Sequence, residues 1–118
     1  MTIQQFISHF KSLSLDFDEA LTTHLSDNHE LLPHVLMGDW TRSVLALQAR
    51  QGVGHEEVQA ALQTLEMAMA QGSSDLQELV VVSFLENLDP GTPELAELRK
   101  SFGPALAQAM NVFENWRP

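Results

Sequence analysis

The chain has 118 residues, 44% of them hydrophobic and 19% charged, a balance that supports one buried core and lies outside the class that stays disordered. It contains no cysteine, which excludes disulfides, thiolate metal sites and a cysteine nucleophile. Sixteen acidic against six basic residues leave a net charge of −10. A surface of that sign repels phosphate backbones and anionic headgroups, so neither nucleic acid nor membrane is an expected partner.

The opening stretch, MTIQQFISHFKS, lacks the basic and continuous apolar regions of a secretory signal, and no apolar run approaches the length of a membrane span. A cytoplasmic location is the expectation. Within that stretch Ile3, Phe6, Ile7 and Phe10 share one helical face, and Thr2 with Gln5 forms a capping box in front of them. A second helix is predicted to bury Phe17, Leu21 and Leu25, with Asp16 as its N-cap and Ser26-Asp27-Asn28-His29 as its polar end. Pro33 opens a third, since proline in the first turn gives up only a donor that has no partner there. Leu36, Trp40, Val44 and Leu47 form its buried stripe.

Gly52-Val53-Gly54 separates that helix from a fourth bearing Val58, Leu62, Leu65 and Met69, which Gly72 terminates. Ser74 and Gln77 read as a second capping box. The segment from Leu76 to Leu88 is apolar on almost every side. Such a run suits a buried strand as well as a helix; the cap before it and the lack of a second strand to pair with favour a central buried helix. Asp89-Pro90-Gly91 is a turn, Thr92 and Pro93 open a sixth helix with Leu95, Leu98 and Phe102, and Gly103-Pro104 interrupts it. A last helix carries Leu106, Met110 and Phe113; Trp116 near its end marks a contact site if exposed, but is expected to fold back as a staple. The predicted fold is all-α, one domain over residues 1–118: an irregular bundle or short stack of antiparallel helical hairpins with six to seven helices.

No pattern of catalytic or ligating residues stands out. His24, His29 and His34 are five residues apart, which does not put two of them on one helical face, so they read as surface or boundary residues and no metal is expected. Asp39 lies on an otherwise apolar helix three residues before Arg42, the spacing of a local ion pair. Ser83 has no nucleophile elbow around it, and its hydroxyl is expected to bond the carbonyl of Leu79. Glu86 and Asn87 at the exit of that helix read as polar boundary residues within reach of an adjoining groove. Met67, Met69 and Met110 fit core stripes first and a partner groove second. No catalytic residue, cofactor or metal site is expected, and the chain is not read as an enzyme.

The acids are unevenly placed. No Lys or Arg occurs between Arg50 and Arg99, an interval that contains Glu56, Glu57, Glu66, Asp75, Glu78, Glu86, Asp89, Glu94 and Glu97. Such a run either keeps the chain soluble or steers a basic partner towards it.

The segments Leu31 to Arg42, LLPHVLMGDWTR, and Glu78 to Leu88, ELVVVSFLENL, resemble a family of small, acidic, all-helical bacterial proteins. That family is largely uncharacterised, and some of its members are immunity proteins paired with secreted polymorphic toxins. The likeness extends over most of the chain, as far as the Gly103-Pro104 break. It implies a protein that binds and neutralises a cognate basic toxin domain, with carboxylates standing where phosphates bind in the toxin's cleft. The partner-binding residues it implies are Glu56, Glu57, Glu66, Asp75, Glu78, Asp89, Glu94 and Glu97.

Two other readings compete. A non-catalytic helical adaptor holding a partner helix or peptide requires an exposed apolar patch instead of a mainly acidic contact face. An enzyme requires a pocket in which carboxylates, histidines and Asp39 converge.

Overall fold

The computed structural model describes the backbone of residues 1–116 and the side chains of residues 1–115; the side chain of Trp116, with its expected fold-back, lies outside the described residues. Among these, seven α-helices and two 3-10 turns account for the regular structure, with no strand. The helices are α1 Ile3–Phe10, α2 Leu15–Asn28, α3 Pro33–Gln51, α4 Glu56–Gln71, α5 Ser74–Ser83, α6 Pro93–Arg99 and α7 Pro104–Trp116. The two longest, α3 and α4, organise the rest: α3 packs on α2, α5, α4 and α6, and α4 on α1, α3, α5 and α7.

The predicted stripes go where their spacing sends them. Phe6, Ile7 and Phe10 of α1 are buried, as are Leu36, Trp40, Val44 and Leu47 of α3 and Val58, Leu62 and Leu65 of α4. Thr2 and Gln5 make the reciprocal capping box, the Thr2 hydroxyl accepting from the Gln5 N–H at 3.1 Å and the Gln5 amide from the Thr2 N–H at 2.9 Å. The N-terminus is tied down further, because the Met1 carbonyl accepts from the Ser73 N–H at 2.9 Å. Pro33 and Pro93 occupy first-turn positions, and Thr92 caps α6 through the Leu95 N–H. Gly91 takes φ +86° in the turn before it, a region that side chains disfavour.

Several expectations are corrected. The N-cap of α2 is Ser14, not Asp16, because a 3-10 turn at Lys11–Leu13 brings the Ser14 hydroxyl to the Asp16 N–H at 3.2 Å. Leu25, expected inside, is exposed, and His24, expected at the surface or boundary, is buried in its stead at 2% exposure. The buried imidazole is no boundary residue: Nε2 accepts from the Leu32 N–H at 2.9 Å and so fixes the entry to α3. His29 ends α2 in the left-handed region at φ 60°.

The box expected at Ser74 and Gln77 does not form. The cap position is Ser73, whose hydroxyl donates to Asp75, while Asp75 accepts from the Leu76 N–H. Those bonds, the Ser73 hydroxyl first, hold the Asp75 carboxyl below the usual carboxylate range. The apolar run is helical, as expected, but α5 stops at Ser83 and a 3-10 turn, Leu85–Asn87, follows. It is also one-sided, because Val82 is 42% exposed while Leu76, Leu79, Val80 and Phe84 are buried.

Candidate partner-binding surface

The acids expected to form a contact face divide into two kinds. Glu66 is half-buried on α4, and its carboxylate accepts from the Ala105 and Leu106 N–H groups, both at 2.8 Å. It thereby caps α7, where unpaired N–H groups and the helix dipole favour an anion. Glu57 accepts from the Ser14 hydroxyl at 3.1 Å, Asp75 serves the start of α5, and Glu97 pairs with Lys100 at 2.8 Å. All four have partners within the chain, Glu57 and Glu66 half-buried, Asp75 and Glu97 on the exposed surface. Glu56, Glu78, Asp89 and Glu94 are exposed, and their carboxylates have neither hydrogen-bond nor ion-pair partners.

Cations do little to offset this charge. Arg42 pairs with Asp39, as the spacing predicted, Arg50 with Asp16 at 2.8 Å, and Arg99 with Glu114 at 2.8 Å. Asp18, Glu19, Asp27 and Glu30, on α2 and the loop after it, have no such partner and are exposed. Between α2 and α3 runs an open trough of about 560 Å³. Asp16, Glu19, Asp27 and Asp39 line it, with Arg42 as its cation. This trough lies outside the interval that drew attention in the sequence, because its carboxylates come from two helices that only tertiary packing brings together.

Two of the expected residues do meet. Glu94 and Glu97 border a cleft between the end of α3 and the start of α6, with Gln48 and Val53. Gln48 is 7% exposed; its amide donates to the Glu94 carbonyl at 2.8 Å, and its Oε1 has no partner.

A different surface lies across the molecule's α4, α5 and α7. Met69 of α4, Val81 of α5 and Glu86 stand on one side of a groove of about 660 Å³. Ala105, Gln108, Ala109, Val112 and Phe113 of α7 form the other. Glu86 thus meets the adjoining groove that its position at the helix exit suggested. Of the three methionines, Met110 is buried, Met69 is half-buried in the groove, and Met67 is 44% exposed. No set of three or more His, Asp or Glu side chains is placed to hold a metal among the described residues, and no described helix is long and apolar enough to cross a membrane.

A protein-family model matches residues 3–115, nearly the whole chain. The chain belongs to DUF7674, a domain of unknown function. No curated protein and no solved structure matches it. In this DUF7674 chain the two segments that carry the resemblance face each other, because α3 packs along α5. A polar junction joins them. The Ser83 hydroxyl sits 2.7 Å from His34 Nδ1, not on the Leu79 carbonyl as expected, while the Ser83 carbonyl accepts from the Thr41 hydroxyl at 3.0 Å and the Asn87 amide at 2.7 Å. Those side chains supply the donors that the backbone no longer provides where α5 ends. With Ser83 4% exposed, the junction stitches α3 to α5, which gives His34, Thr41, Ser83 and Asn87 a packing role.

Proposed function

We propose that the chain is an immunity-type protein, which binds a basic toxin domain in the cytosol of the producing cell and neutralises it by covering the active cleft. The observation that carries this reading is the number of exposed carboxylates without a cation: Asp18, Glu19, Asp27 and Glu30 at α2, and Glu56, Glu78, Glu86, Asp89 and Glu94 beyond it. Arg42, Arg50, Arg99 and Lys100 are each already paired with a carboxylate of the chain. Uncompensated charge of one sign speeds capture of a basic partner and suppresses acidic ones. Within the expected contact set, Glu56, Glu78, Asp89 and Glu94 are the carboxylates offered to the partner. Glu57 and Glu66 hold the scaffold that presents them, Asp75 serves the start of α5, and Glu97 is paired with Lys100.

Neutralisation on this reading is steric and electrostatic and needs no catalytic step. Carboxylates occupy the positions at which the partner's cationic side chains bind phosphate, and the helical body excludes the substrate. A second reading, a helical adaptor, is favoured by the apolar groove beside α7.

Affinity capture from the native cytosol separates the two. The tagged chain is expected to retain one stoichiometric basic protein at about 50 mM salt and to lose most of it at about 300 mM, as the Debye length shortens. Recovery of an acidic or neutral partner that is indifferent to salt would favour the adaptor and remove the immunity reading.

A further inference from the structure

The groove beside α7 has the dimensions and lining of a helix seat. Ala105, Ala109, Val112 and Phe113 recur at four, three and one residues along α7, a ridge about 12 Å long at 1.5 Å per residue. Two alanines narrow that wall, and Gln108, exposed between them in the chain, is its polar member. Met69 on the opposite wall is an unbranched side chain that adapts to irregular surfaces. Val112 is 58% exposed, more than any other aliphatic side chain of the groove.

Charge decides the occupant. Glu86 is the charged residue lining the groove, and it is exposed with no partner of its own. A second copy of the chain would add another net charge of −10 against this one. A partner helix with an apolar stripe at i, i+4 and i+7 and a Lys or Arg beside it satisfies both walls and Glu86 together. We infer that the groove formed by Met69, Val81, Glu86 and α7 docks a basic amphipathic helix of the partner, whose apolar face covers Val112 and whose cation pairs with Glu86. This rests on the immunity reading for the partner's identity, while the seat itself is tested without any toxin.

The probe is a synthetic, fluorescein-labelled 14-residue peptide of Leu, Ala and Lys with a single apolar stripe, mixed with the intact protein. Two controls share its length: one carries Glu for Lys, and one has the same composition with the stripe broken. Methyl NMR spectra are expected to shift at Ala105, Ala109, Val81, Val112 and Met69 and to stay fixed at the exposed Val35 and Leu15. The acidic and scrambled peptides bind about tenfold more weakly or not at all. Val112→Asp, at an exposed position that leaves the core untouched, and Glu86→Lys each weaken the basic peptide by about tenfold or more. Equal binding of all three peptides, shifts confined to the α2–α3 trough, or an unchanged affinity in both variants overturns the inference. A seat that behaves as described while cytosolic capture yields no basic partner would remove the immunity reading and leave the groove assignment in place.

Discussion

Trp40→Ala is expected to lower stability by about 3–5 kcal/mol and the thermal midpoint by roughly 10–20 °C. Trp40 is 1% exposed and stands where α1, α2 and α3 meet. Its ring stacks on Phe10 at 4.5 Å between centroids and approaches Phe6 edge-on at 6.3 Å, while Phe10 packs on Phe17 at 4.7 Å. Its Nε1 donates to the Phe17 carbonyl at 2.9 Å. One side chain therefore joins the short α1 to the interior by ring contacts and the start of α2 by a hydrogen bond. Removing it opens a cavity among rigid rings that refill it poorly. Trp40→Phe keeps an aromatic body and should lose less than half as much. Thermal unfolding followed by circular dichroism measures both, and a midpoint within a few degrees of wild type for Trp40→Ala would contradict this account of the core.

Glu66→Ala is expected to cost about 2–3 kcal/mol and to loosen α7 selectively. Two charge-assisted bonds to the Ala105 and Leu106 N–H groups end with it, in a half-buried site where the helix start already attracts an anion. Glu66→Gln keeps one acceptor and should show an intermediate loss. Gly103→Ala should act in the same direction, because a Cβ there would run into the Glu66 carboxyl group and displace it. Amide hydrogen exchange reads the effect: faster exchange along α7, with α3 and α5 unchanged until global unfolding is reached. Uniform acceleration throughout the chain, or none, would contradict the capping role. Since α7 is one wall of the apolar groove, the same variants should weaken binding there.

How far these features were legible in the sequence depends on the range of the interaction behind them. The Thr2–Gln5 box and the Pro33 and Thr92–Pro93 punctuation are settled within a few residues, and the structure agrees with each; Pro104 opens α7, but α6 already stops at Arg99, which leaves Phe102 outside the helix expected to carry it. The stripes of α1, α3 and α4 are settled by period. Asp16 and Ser74 were misread because a cap depends on where the preceding turn ends, a matter of one or two residues that Ser14 and Ser73 decide. Tertiary partners were out of reach. Nothing local indicates that His24 is inside and receives the Leu32 N–H, or that Ser83 meets His34 across 49 residues.

The same division applies to the surface. Net charge was plain from the sequence, but its use was not. Glu66 serves a helix about 40 residues away and Glu57 a serine 43 residues away, so two of the residues expected to face a partner turn out to hold the fold. The trough between α2 and α3 and the groove beside α7 each draw their lining from separate helices. Glu86 and Asn87 read as boundary residues within reach of a groove; Glu86 lines one, while the Asn87 amide turns to the Ser83 carbonyl.

The central claim is that this chain neutralises a toxin, and growth rescue tests it most directly. The basic protein retained by affinity capture is expressed from an inducible promoter, alone and together with the chain or with Glu56, Glu78, Asp89 and Glu94 all changed to Lys. The account predicts arrested growth with the partner alone, full growth with the wild-type chain, and little or no rescue by the charge-reversed chain. Normal growth with the partner alone, or equal rescue by the reversed chain when it folds like wild type, would contradict it.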